Sequence, residues 1–238
     1  MNLKFTIIIP IFNEVEAIFP LIKEIKEEFK DEKPEVVIVN DGSNDGFLKK
    51  FNVKKGGKNF KVVSHDFKLG KCKAMLTGVK SSKNKIIAVI DGDGQNPPSE
   101  IRKLLSPLVK ESVKKSSKPI LICGNRIKRK DTFSKRISSK IANSFRKAIL
   151  KDDCNDTACA LKAFHKLDYL KLPYFRNMHR FLPALYKMNN GKIINIPVID
   201  RPRILGESKF SFNNRFWVGI IDLIKVKLLI KRSKNGFN

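Results

Sequence analysis

The strongest constraint on the fold is a rhythm of short apolar runs and longer helical segments over the first half of the chain. "FTIIIP" (5–10) precedes an amphipathic stretch from Glu16 to Phe29, and "EVVIVN" (35–40) runs into the turn-rich "DGSNDG". "FKVVS" (60–64) is followed by a helical pattern from Gly70 to about Lys80. "KIIAVI" (85–90) runs into "DGDGQNPP", whose Pro97 and Pro98 suit the first turn of a helix continuing "SEIRKLLSPLVKE", and "PILICG" (119–124) reads as a fifth strand. Strands separated by helix-length segments need crossover connections, so the pattern predicts a largely parallel α/β sheet with helices on both faces. In such sheets the ligand sits outside the carboxyl ends of the strands. The polar clusters fall at those ends: "NE" after the first strand, "DGSNDG" after the second, "DGDGQN" after the fourth and "GNR" after the fifth.

Beyond residue 125 the character changes. Arg126 to Lys151 holds ten basic residues and one acidic, Asp131, and Ile137, Ile141, Phe145 and Ile149 recur every four positions, which predicts a basic amphipathic helix over about 134–151. A second apolar and basic segment closes the chain. The expected organisation is one main domain over 1–212 and a C-terminal amphipathic, basic segment over 213–238. The net charge of +26 attracts polyanions, whether nucleic acid, an anionic membrane face or phosphorylated substrates. A Lys excess scattered along the whole chain also fits a generally Lys-rich proteome. The basic clusters lack interleaved aromatics for base stacking, so nucleic acid is not an expected partner. Four cysteines without a C-x-x-C spacing read as reduced thiols of a cytosolic protein. The first strand begins too early to leave room for a signal peptide, and the segment "FWVGIIDLIKVKLLI" is too short and too charged to span a bilayer.

Asp91 and Asp93 stand one residue apart at the exit of an apolar strand, with Gly92 and Gly94 leaving space for a bulky ligand. Hard oxygen donors without His or Cys suit Mg²⁺ or Mn²⁺, which keep open positions for substrate phosphates. The competing reading is a solvated turn. Asp41 and Asp45 lie where a nucleoside would be held, and Asp45 reads better as a helix cap. His65 and His165 belong to no motif, so no histidine base is apparent. His179 and Arg180 open a helix, either as contacts to sugar or phosphate or as a plain helix start.

Taken in order, "IIIPIFNE", "VVIVNDGSNDG", "IDGDGQNPP", "GNR", "DTACALKAF" and "RPRILGESKF" resemble family 2 glycosyltransferases of the group that makes polyprenyl-phosphate sugars, over roughly residues 4 to 230. That resemblance implies a GT-A type, Rossmann-like nucleotide-diphospho-sugar domain. It implies that Pro10, Phe12, Glu14 and Asp41 embrace the nucleoside, and that Asp91, Asp93 and Gln95 hold Mg²⁺ or Mn²⁺ on the diphosphate. Arg126 and Arg136 would meet the acceptor phosphate, and Arg203 and Lys209 would sit on a loop closing over the phosphates. Asp156 would organise the site or contact the sugar, or serve as a turn aspartate.

Departures from the family pattern are Gly94, Ala158, Ala160 and Asp200, the last placing a negative charge beside a phosphate site. The implied reaction is inverting transfer of a UDP- or GDP-linked sugar to undecaprenyl or dolichyl phosphate, which as an anionic nucleophile needs no general base. The rival acceptor, a sugar hydroxyl on a growing glycan, would need one, and Asp156 is its candidate. Expected partners are the donor, the polyprenyl phosphate, an anionic membrane surface and a membrane protein, with the chain peripheral on the cytoplasmic face.

Overall fold

The computed structural model describes residues 3–51, 57–113, 118–127, 143–202 and 212–234. Seven strands are described: β1 (Phe5–Ile11), β2 (Glu35–Asp41), β3 (Phe60–His65), β4 (Ile86–Val89), β5 (Ile120–Arg126), β6 (Lys162–His165) and β7 (Lys192–Val198). The helices are α1 (Val15–Glu28), α2 (Phe47–Lys50), α3 (Lys71–Ser81), α4 (Glu100–Val113), α5 (143–150), α6 (Lys166–Leu170), α7 (Leu182–Met188) and α8 (Phe212–Lys234). They lie within a residue or two of the sequence expectation over the first half. Pro97 and Pro98 form the turn before α4, their carbonyls accepting from Glu100 N and Ile101 N at 3.1 and 3.0 Å.

One sheet holds all seven strands in the order β3-β2-β1-β4-β6-β5-β7, parallel except for β6, which runs antiparallel to both neighbours. Lys162 at the start of β6 pairs with Cys123 in the middle of β5, and Leu161 O just before it accepts from Gly124 N at 2.9 Å, so the intervening segment leaves and re-enters at the same end of the sheet. That excursion brings Asp156 to the carboxyl ends of the parallel strands.

Alternation along β1 divides the core. Ile7 and Ile9 pack with α1 and α4 residues such as Ile18, Leu21 and Leu104. Ile8 faces the opposite layer with Met75, Val79 and Leu185. All three isoleucines are fully buried, each contributing about 1.5–3 kcal/mol relative to exposure. A third cluster joins Leu150 of α5, Phe181 and Ala184 to Leu223 and Val226 of α8.

Of the expected basic helix, 143–151 falls within the described residues and is helical over 143–150. Its inward residues there are Arg146 and Leu150, whereas Phe145 of the apolar repeat is 59% exposed. Residues 128–142, with Arg136, and 203–211, with Arg203 and Lys209, lie outside the described residues. All four cysteines are free and buried. No helix among the described residues is long and apolar enough to cross a membrane.

Candidate active site

A cavity of about 190 Å³ opens where the carboxyl ends of β1, β2 and β4 meet the start of α3. Pro10, Phe12, Glu14, Asp41, Asp91 and Asp93 all line it, together with Lys68 and Lys71. Residues chosen from three separate stretches of sequence therefore share one crevice.

Beside it the first two polar clusters are tied together. Asn13 N donates to Ser43 Oγ at 2.9 Å, and Asn13 Oδ1 accepts from Asn44 N at 2.9 Å. Asp45 is a cap, as its type suggested, but a wider one than a local reading gives. Its Oδ2 accepts from Val15 N at 2.8 Å, the first residue of α1, and its Oδ1 from Phe47 N at 3.2 Å in α2.

Asp41 is buried, and its carboxylate gathers donors from the wall. Oδ1 accepts from Leu69 N at 2.9 Å and lies 2.8 Å from His65 Nδ1, while Oδ2 accepts from Gly70 N at 2.8 Å. His65 Nε2 lies 2.9 Å from Thr77 Oγ1. Asp41 thus fixes the approach to α3 as well as lining the crevice, and His65, which belonged to no motif, holds Asp41.

At the mouth, Lys71 Nζ pairs with Asp91 Oδ1 at 2.5 Å, and Lys68 Nζ sits 3.9 Å from the centre of the Phe12 ring. Asp93 is buried, and its Oδ1 accepts from Gln95 N at 3.1 Å. Among the described residues, four carboxylates and two ammonium groups line this cavity. A divalent cation beside these carboxylates would offset their repulsion of an anionic diphosphate. The donors are hard oxygens, and two carboxylates with the rest of the coordination left to phosphates and water is the usual protein share for Mg²⁺. The residues therefore fit such an ion. Gly92 is needed for the close packing behind the loop, since a Cβ there would lie 2.5 Å from Ile11 Cγ2.

Next to the loop stands a second charged cluster. Arg126, at the end of β5, donates from Nε and Nη2 to the two oxygens of Asp156 at 2.6 and 3.0 Å. Its Nη1 lies 3.6 Å from Asp200, which also accepts from Asn96 Nδ2 at 2.9 Å. Burial opposes the Arg126 charge, but the Asp156 hydrogen bonds and the two carboxylates hold its guanidinium above the ordinary arginine range. Arg126, expected to face an acceptor phosphate, is thus already engaged by Asp156, and the Asp200 departure is part of that engagement.

The turn carrying Asp156 is braced from below. Arg146 of α5 donates to Asp152 at 2.7 Å and to Thr157 Oγ1 at 2.7 Å, and buried Lys162 donates to the carbonyls of Thr157, at 3.2 Å, and Cys159. His179 Nδ1 lies 3.0 Å from the Cys72 thiol, and His179 N donates to that sulfur at 3.3 Å. Burial, reinforced by Lys71 and Arg180, holds this imidazole well below the usual histidine range. His179 ties its turn to the first turn of α3.

The family model for Glycosyl transferase family 2 matches residues 6–169. Dodecaprenyl-phosphate galacturonate synthase of Rhizobium johnstonii is 29% identical over 238 residues, covering 97% of this chain and 68% of that protein. Undecaprenyl-phosphate 4-deoxy-4-formamido-L-arabinose transferase of an Enterobacter species is 27% identical over 214 residues, 88% of this chain and 63% of the relative. The chain spans about two thirds of the length of these relatives.

Among solved structures, glucosyl-3-phosphoglycerate synthase from Mycobacterium tuberculosis, crystallised with Mn²⁺, uridine diphosphate and glucosyl-3-phosphoglycerate, superposes with a TM-score of 0.68 at 14% identity, covering 95% of this chain and 79% of that one. Mannosyl-3-phosphoglycerate synthase from Rubrobacter xylanophilus gives 0.71 at 12%, covering 96% and 75%. These likenesses show a shared GT-A fold. With the family match running from β1 through β6 and so across the strands that build the crevice, the chain belongs to glycosyl transferase family 2, and it is a glycosyltransferase.

Proposed function

We propose that this glycosyltransferase moves a sugar, with inversion, from a UDP- or GDP-linked donor to a polyprenyl phosphate. The observation that carries the reading is the crevice itself, whose lining joins Asp91 and Asp93 of one loop, Lys71 paired with Asp91, Lys68 over the Phe12 ring, and Asp41. The relatives named for dodecaprenyl and undecaprenyl phosphate support the acceptor class. The neighbours crystallised with Mn²⁺ or Mg²⁺ and uridine diphosphate support the donor class and a divalent cation.

Asp91 and Asp93 would hold that ion, with Gln95 beside them, and it would stabilise the negative charge that develops on the departing diphosphate. Lys71, released from Asp91, and Lys68 present ammonium groups to the same phosphates. Phe12 and Pro10 offer the nucleoside an apolar wall, and Glu14 and Asp41 offer acceptors. Arg203 and Lys209 are assigned to the diphosphate, and Arg126 and Arg136 to the acceptor phosphate.

Asp156 bears on the choice of acceptor. Both its oxygens accept from Arg126, a poor arrangement for taking a proton from a sugar hydroxyl. A phosphate monoester, largely ionised near neutral pH, needs no such base, which favours the lipid phosphate over a glycan hydroxyl.

The C-terminal helix supports action at a membrane surface. Opposite its packed side, Ile221, Ile224 and Leu228 are 52%, 55% and 53% exposed, flanked by exposed Lys225, Lys227, Lys231 and Arg232. That is the composition of a helix lying on an anionic leaflet, here assigned to the cytoplasmic face.

The deciding experiment incubates the purified chain and Mn²⁺ with radiolabelled UDP- and GDP-sugars plus undecaprenyl phosphate and counts label in the organic phase. Transfer from one donor supports the proposal. Transfer only to a water-soluble glycan, or none, refutes it.

A further inference from the structure

Arg201 does not line the crevice, yet its contacts converge on the carboxylate loop. Its backbone N donates to Gln95 O at 2.9 Å, and its Nε donates to Gly94 O at 2.5 Å. Its Nη2 donates to both carboxylate oxygens of Glu24 at 2.9 Å. Glu24 lies on α1 among the core residues Leu21, Ile22 and Ile25, so the far end of the guanidinium is tied to a rigid element. The neighbouring residue adds a third link, Asp200 accepting from Asn96 Nδ2 at 2.9 Å. Gly94, Gln95 and Asn96 are thus held in succession by residues 200 and 201.

The connection to the chemistry runs through one peptide unit and its neighbour. Gln95 accepts from Arg201 at its carbonyl and donates from its N–H to Asp93 Oδ1 at 3.1 Å. Gly94 has φ +73°, a conformation glycine adopts without strain, and in that turn its carbonyl meets the Arg201 side chain. This gives the Gly94 departure a physical role. A planar guanidinium can bridge a carbonyl and a carboxylate in fixed directions, which a lysine ammonium does not reproduce.

We propose that Arg201, anchored by Glu24, is a positioning residue that sets the orientation of the Asp93 carboxylate and so the cation affinity of the crevice. This rests on the proposed function, in which Asp93 holds the divalent ion on the donor diphosphate. Groups that orient ligands without touching the metal commonly change its affinity by 10–100-fold when removed.

The test titrates Mn²⁺ into the full chain with UDP and, in parallel, with GDP, reading bound Mn²⁺ by electron paramagnetic resonance. Wild type is compared with Arg201→Gln, Arg201→Lys, Glu24→Gln and the Arg201→Gln/Glu24→Gln double variant, with thermal melting of each. Arg201→Gln is expected to weaken Mn²⁺ binding by about 10-fold. Glu24→Gln should shift it in the same direction by less, and the double variant should bind no more weakly than Arg201→Gln alone. In sugar transfer, saturating Mn²⁺ should restore kcat while the Mn²⁺ requirement stays raised. Melting temperatures that fall while Mn²⁺ affinity stays at the wild-type value would overturn the inference, leaving Arg201 a brace and nothing more. Wild type that binds no Mn²⁺ with either nucleotide would instead overturn the functional reading and the inference with it.

Discussion

Replacing Asp156 with asparagine probes the cluster beside the carboxylate loop and the choice of acceptor in one variant. The Asp156 and Arg126 side chains are 6% and 14% exposed, and Arg126 donates to both carboxylate oxygens. An amide cannot accept at both atoms and carries no charge, so Arg126 would keep one hydrogen bond, to the amide oxygen, and the charge of Asp200 at 3.6 Å, beyond hydrogen-bond length. Removing one partner from a buried ion pair costs about 3–5 kcal/mol. The surviving amide oxygen and Asp200 place this case at the low end, about 3 kcal/mol. In a chain of this size each kcal/mol moves Tm by roughly 2–4 °C, so a fall of about 6–12 °C is expected in circular-dichroism melts near neutral pH. A fall under about 2 °C would refute the reading of a closed, desolvated pair. In the label-transfer assay, measured well below Tm, turnover should drop without vanishing. Near-complete loss with a folded variant would point to Asp156 as a base, and so to a hydroxyl acceptor.

Three further outcomes are expected. The unfolded chain protonates a histidine near pH 6.5, whereas folded His179 is held well below that range by burial, so the unfolded state takes up the extra proton and stability falls as pH drops below about 6.5. His179→Gln should flatten Tm between about pH 7 and pH 5 relative to wild type, and parallel curves would contradict a neutral buried imidazole. Native thiols should resist a disulfide reagent and all four cysteines should react after unfolding, since each is buried and burial pushes the Cys159 thiol up to about 11. Gly92→Ala, with its Cβ 2.5 Å from Ile11 Cγ2, should cost about 1–3 kcal/mol in urea unfolding and weaken donor binding together; wild-type values for both would show the loop free to move away.

What the sequence revealed and what it hid follow from the range of the interactions. β1, β2 and β4 are apolar runs buried on both faces, a local signal that needs no partner to be read. β7 carries no such signal: among the described residues it pairs with β5 alone at the sheet edge, is mostly half-buried, and accommodates Pro197. The direction of β6 is set by where the chain returns to the sheet, which no residue of "KAFH" encodes. In the site, the crevice-lining carboxylates followed from strand exits, whereas Arg201 finds Glu24 across 177 residues and His65 finds Asp41 across 24. Asp45 looked like a local cap and is one, but its other oxygen caps α1 from 30 residues away. Lys162 is of a residue type that is almost never fully buried, yet here it is buried and donates to the carbonyls of Thr157 and Cys159.

Where a cation and a nucleoside diphosphate settle on this chain is the most direct test of the site. Crystals soaked with MnCl₂ and either UDP or GDP should show an anomalous peak between the Asp91 and Asp93 carboxylates, with the base against Phe12 and Lys71 turned from Asp91 toward phosphate. A manganese peak elsewhere, or a nucleotide bound without any peak at that loop, would contradict it.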